Sequence, residues 1–130
     1  MNNEQIRGIL DRMGIPSRLI DGSLLICLDA DGDFAHDVMV WVLVEKDVRL
    51  SFIGTAPDYR PSGDLLALAN RRNSRRNFPT AVVRDGEVKM EYSFLITEEV
   101  SDQYITDCIS NTITGIWSAF VDFEKDTDNQ

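Results

Sequence analysis

Asp29, Asp31 and Asp33 alternate along the chain and are followed by His36 and Asp37, the densest group of potential metal ligands in the sequence. Oxygen donors at that spacing open a calcium loop of the EF-hand kind. Such a loop also needs glycine at its sixth position and a bidentate glutamate at its twelfth. Phe34 and Val40 stand at those places, and neither flank carries a helical pattern. The stretch therefore reads as an acidic, solvated hairpin loop, and no metal is assigned to it. A ligand- or metal-sensing role for Asp29, Asp31, Asp33 and His36 is the alternative. His36 is the only histidine, so any Ser-His-Asp or Cys-His relay must pass through it, and no glycine-framed serine is present to pair with it. The carboxylates fall in no recognisable acid/base motif, and glycine is too sparse for a phosphate cradle. No catalytic residue and no cofactor is expected, and the protein reads as a non-enzyme.

The second outlier is Asn70-Arg71-Arg72-Asn73-Ser74-Arg75-Arg76-Asn77-Phe78. It carries four positive charges and no acid in a chain of net charge −9, so the remaining residues sum to −13. A nucleic-acid patch with Phe78 as a stacking ring is the sharper reading. Four arginines neutralise only a few phosphates, however, and the acidic remainder repels the polymer. Charge compensation at a helix C-terminus, with ion pairs to the acidic surface, is preferred, and a protein contact is the middle option.

Positioning these groups falls to a single domain, residues 1–123, followed by an acidic tail, residues 124–130, expected to be disordered. The chain has 130 residues, 43% of them hydrophobic and 27% charged, which is ordinary for a globular protein. No apolar run approaches the ~18 residues of a membrane span, and the polar N-terminus lacks a signal pattern. A cytoplasmic setting without membrane partners is expected. Cys27 and Cys108 each read as a buried thiol, with a disulfide between them left open.

The organising stretch is Val38-Met39-Val40-Trp41-Val42-Leu43-Val44. Its β-branched residues favour a strand, and the absence of polar alternation requires both faces to be covered, by helices of this chain or by another subunit. Around it the pattern predicts a helix over residues 3–13 that stops at Gly14-Ile15-Pro16, and a turn or bulge at Asp21-Gly22 before a strand through Leu28. After a bend at Glu45-Lys46-Asp47 comes an alternating strand over 48–52. Ser62 is taken as the N-cap of a short helix ending near Asn73 or Ser74, with Leu65, Leu66, Leu68 and Ala69 on its buried side. Asp85-Gly86 turns a hairpin between residues 80–83 and 88–94. A long helix starting at Ser101 or Thr97 and ending near Asp122 closes the chain. The fold class is α+β, in the order α-β-β-β-α-β-β-α, with a five-stranded antiparallel sheet packed by helices.

The second half carries a resemblance. A Leu-rich helix runs into Asn70-Arg71-Arg72-Asn73 and is followed by the Asp85-Gly86 hairpin and Val88-Lys89-Met90-Glu91-Tyr92. An acid-flanked start, Thr97-Glu98-Glu99-Val100-Ser101, then opens a helix ending in Ile116-Trp117-Ser118-Ala119-Phe120. This resembles the YbjN family, bacterial proteins described as sensory transduction regulators, and the element order is similar to that of type III secretion chaperones. The resemblance implies a regulatory or chaperone-like protein-interaction module, homodimeric, with an unidentified protein partner and no enzymatic activity. Trp41, Leu65, Leu66, Ala69, Arg71, Arg72 and Phe78 are the candidate partner or dimer contacts.

Overall fold

The computed structural model describes every residue except Asp47, Asn77, Glu98 and Gln130. Its elements are α1 (Asn3–Arg12), β1 (Arg18–Ile20), β2 (Ser23–Leu28), β3 (Val38–Glu45), β4 (Arg49–Thr55), α2 (Leu65–Arg75), β5 (Thr80–Arg84), β6 (Glu87–Leu95) and α3 (Asp102–Asp128). Local chemistry explains most boundaries. The Asn2 side chain accepts from the Gln5 backbone while the Gln5 side chain accepts from the Asn2 backbone, a capping box that starts α1. At its other end Gly14 adopts φ +74°, and the amides of Gly14 and Ile15 reach the carbonyls of Asp11 and Leu10. That is a Schellman closure, as the Gly-Ile-Pro sequence predicts.

Both Asp-Gly pairs turn two-residue hairpins. Asp21 and Gly22 have φ of 49° and 83°, and Asp85 and Gly86 have 54° and 77°, the two positive angles that such turns require. The first hairpin corrects the expected strand count. Residues Arg18–Ile20 pair with Ser23–Leu25 as a strand of their own, so the antiparallel sheet has six strands in the order β1-β2-β3-β4-β6-β5. β1 is short, and its first two residues are exposed, so no burial pattern marked it. The bend expected at Glu45-Lys46-Asp47 lies partly outside the described residues. Lys46 has φ 52°.

Leu24, Ile26, Val38, Val40, Val42, Leu50, Phe52, Val88 and Met90 point from the sheet into one core, against Ile105, Ile109, Ile116, Phe120 and Phe123 of α3 and Ile6, Ile9 and Leu10 of α1. Gly54 lets α3 lie close to β4, because a Cβ there would overlap Ile116 Cγ2. The expected covering of β3 on two sides holds on one side only. Val38, Val40 and Val42 are sealed, but Met39, Trp41 and Leu43 remain half-buried within this chain. The non-alternating run was read correctly as a strand, yet the residues of its second face have no helix over them.

Three further corrections concern the helices and thiols. Asp64, not Ser62, caps α2, accepting from the Ala67 amide, because Gly63 at φ 102° turns the chain one residue later. α3 starts from Ser101 as its N-cap but continues to Asp128, so residues 124–128 of the tail are helical. Cys27 is exposed and Cys108 half-buried, both as free thiols. Cys27 sits one position out of phase with the buried Leu24 and Ile26.

Candidate functional site

The uncovered sheet face is organised in rows that the strand register fixes. Residues paired across antiparallel strands share a face, so Arg18, Leu25, Trp41, Ile53, Glu91 and Thr80 form one line from β1 through β2, β3, β4 and β6 to β5. A neighbouring line runs Cys27, Met39, Thr55, Lys89, Val82, and on the other side Leu43 meets Ser51 and Ser93. The apolar side chains gather on β2, β3 and β4, with polar and charged ones on β5 and β6. Over the β4–β6–β5 part the face hollows into a trough of about 630 Å³ that includes Ile53, Val82 and Glu91.

α2 lies at the sheet's margin rather than on its face. The Asn73 side chain donates from Nδ2 to the Ala81 carbonyl and accepts at Oδ1 from the Ala81 amide, both at 2.8 Å. This amide occupies backbone groups on the outer side of β5 that would otherwise template another strand. One residue earlier Arg72, only 5% exposed, donates through Nη1 to the carbonyls of Arg76 and Pro79. Its Nε is buried without a partner among the described residues. Burial pulls its pKa below the ordinary guanidinium range, and the nearby carboxylate of Asp122 works against that shift. Arg75 and Arg76 face Asp126 and Asp122 of α3 at 3.5 and 3.6 Å. With Lys125 these residues line a cavity of about 340 Å³.

The candidate contact residues are thereby scattered. Trp41 lies on the open sheet face. Leu66 is 60% exposed on α2, while Ala69 and Arg72 are buried and so are not surface contacts. Leu65 packs at the core margin and Arg71 is exposed. Phe78 caps the far side of the molecule, edge-on to Tyr92 at 4.3 Å and seated where a side chain at Gly115 would stand. Asn77 lies outside the described residues. Sequence reasoning missed the bond of Asn73 to β5, and Asp122 and Asp126 as partners of the arginine segment. The Asn73 amide carried no signal, and α3 beyond Asp122 was read as tail.

The aspartate loop serves its own backbone. Asp31 Oδ1 accepts from the amides of Asp33 and Phe34 at 2.7 and 3.1 Å, and Asp37 Oδ1 accepts from Ala30 at 2.8 Å. Among the described residues no three His, Cys, Asp or Glu side chains converge as a metal site. The His36 ring lies 5.2 Å from those of both Phe34 and Tyr59, part of an aromatic cluster with Trp117 and Phe120. None of the described helices is long and apolar enough to cross a membrane.

Comparison with known proteins adds a family. The model of YbjN, described as "Putative bacterial sensory transduction regulator", matches residues 2–124. A crystal structure of YbjN, described as "a putative transcription regulator from E. coli", is similar with a TM-score of 0.73 and 16% sequence identity, covering 94% of this chain and 90% of that one. At that identity the likeness concerns the fold alone. No curated protein matches at a significant level.

Proposed function

Because this chain belongs to the YbjN family, we propose that it is a non-enzymatic regulatory interaction module that pairs with a second copy of itself through the open sheet face. The observation that carries this reading is the row Arg18, Leu25, Trp41, Ile53, Glu91. It is apolar through Trp41 and Ile53, with a cation at its β1 end and a carboxylate on β6, beyond which Thr80 of β5 closes the row. A two-fold axis through Trp41 reverses the row. Trp41 then meets Trp41 of the second copy, Ile53 lies over the strand of the already buried Leu25, and Arg18 meets Glu91 twice. Burial of the aromatic and aliphatic middle supplies the affinity, and the end charges fix the orientation. The secretion-chaperone likeness belongs to this proposal too, as does a cytoplasmic setting. A regulator that docks by surface rather than by chemistry needs no catalytic group.

The arginine segment supports this better than it supports nucleic-acid binding. Arg72 is buried, and Arg75 and Arg76 face carboxylates of α3. Light scattering after size-exclusion chromatography tests the proposal. The wild-type chain elutes as a dimer, and Glu91→Arg places like charges opposite one another and yields a monomer. Combining it with Arg18→Glu restores the dimer. A monomer across the micromolar range, or a double variant no better than the single one, overturns it.

A further inference from the structure

The cavity between the C-terminal turn of α2 and the last turns of α3 is distant in kind from the sheet face: small, charged and built around a buried cation. Arg72 is its key. Two carbonyls hold the guanidinium through Nη1, which fixes the plane of the group, and its other edge, Nε with Nη2, makes no hydrogen bond among the described residues. That edge is the one with which arginine grips a carboxylate or phosphate in two parallel bonds. A buried donor without a partner costs free energy that an arriving acceptor would recover, and Nε is such a donor. Arg75, Arg76 and Lys125 surround the same cavity, with Asp122 and Asp126 as the acids lining it among the described residues. Four cations against two carboxylates make this a positive spot on a protein of net charge −9, where the field draws in an anion.

The two acids do not already fill the role. Asp122 and Asp126 stand 3.6 and 3.5 Å from Arg76 and Arg75, with all four side chains between 37% and 75% exposed. A charge-assisted bond closes to about 2.7–2.9 Å, so these are loose surface pairs that a ligand can displace. The carbonyls of Arg76 and Pro79, just past the end of α2, would repel an anion, but they are engaged by Arg72 itself.

We propose that the Arg72 cavity binds a small oxyanion, a phosphate or a carboxylate group, gripped by the free edge of Arg72 and flanked by Arg75, Arg76 and Lys125. The cavity volume of about 340 Å³ admits one small metabolite. Such a ligand would bridge α2 to α3, tying the edge-capping helix to the helix that covers the sheet.

The test is titration of the full chain with inorganic phosphate, acetate and chloride at constant ionic strength, following the Arg72 Nε–H resonance by NMR. Phosphate or acetate moves this resonance downfield to saturation and chloride does not; whichever of the two binds tighter identifies the group recognised. Lys125→Gln and Arg75→Gln each weaken binding about three-fold, the size of one partly exposed charge interaction. Asp122→Asn removes a competing acid and tightens binding about three-fold. Arg72→Lys keeps the charge but loses the two-donor edge and abolishes saturable binding. Should that variant fail to fold, the Lys125 and Asp122 variants still decide. An unmoved Nε–H, equal responses to all three anions, or weaker binding in Asp122→Asn overturns the proposal.

Discussion

Asn73→Ala removes the amide that closes the outer side of β5, and the structure sets the size of the effect. Two hydrogen bonds of 2.8 Å, part-buried, are lost together, and the Ala81 N–H and C=O are left at an open sheet edge. At about 1 kcal/mol for each bond, the loss is about 2 kcal/mol. For a domain of this length that corresponds to a fall in Tm of roughly 6–8 °C. Asn73→Asp separates the two contributions, since a carboxylate still accepts from the Ala81 amide but no longer donates to its carbonyl. Its destabilisation falls between wild type and alanine. Urea titration followed by circular dichroism measures both. Amide hydrogen exchange provides a local readout, with Ala81 losing protection in the alanine variant well beyond the drop in global stability. The reasoning is refuted if Asn73→Ala stays within about 0.5 kcal/mol of wild type, or if Asn73→Asp is as damaging as alanine.

Two other perturbations probe the core. Gly54→Ala forces a Cβ into Ile116 Cγ2 and against Phe120 at 3.5 Å. Overpacking of this kind costs about 1–3 kcal/mol, partly offset by the lower chain entropy of alanine, so a net loss of about 1–2 kcal/mol in urea is expected. An unchanged midpoint would mean that α3 can shift. Tyr59 carries a hydroxyl sealed from water. Burial raises its pKa above 10.0, with the Glu124 and Asp128 carboxylates adding to the shift and the adjacent Thr127 hydroxyl opposing it. The folded state thus holds this proton more tightly than the unfolded chain. Stability is full below the unfolded value of 10.0 and falls as pH rises from there through the folded pKa. Urea midpoints measured against pH show this alkaline loss in wild type, while Tyr59→Phe lacks that part of it; identical slopes would contradict the assignment.

Much of the fold is legible where a short motif has one physical solution. Gly14-Ile15-Pro16 ends α1 because only a left-handed residue followed by an apolar contact closes that turn. Asp21-Gly22 and Asp85-Gly86 fix hairpins because few residue pairs accept two positive φ angles. Ser101 caps α3 for the reason that serine caps helices generally. What stayed hidden depends on partners distant in sequence. Three-residue β1 shows no pattern of its own because it is mostly exposed. The acids after Asp122 looked like tail, yet Asp122 and Asp126 lie one helical turn apart and both face arginines of α2. Arg72 offers no hint of burial, since a charged residue in an Arg-rich segment reads as solvated until the carbonyls that hold it are seen. The unbroken apolar run of β3 announced a demand for cover on two faces. Only the register revealed that one of them, marked by Trp41, stays half-buried within this chain.

The fluorescence of Trp41 tests that central claim most directly. In a Trp117→Phe background it is the sole indole, and its emission reports whether the open face is wet. Pairing of two sheet faces predicts a blue-shifted maximum at high concentration that moves red on dilution, together with a permanently red maximum in Glu91→Arg. A red, concentration-independent emission from the wild-type face would contradict the account.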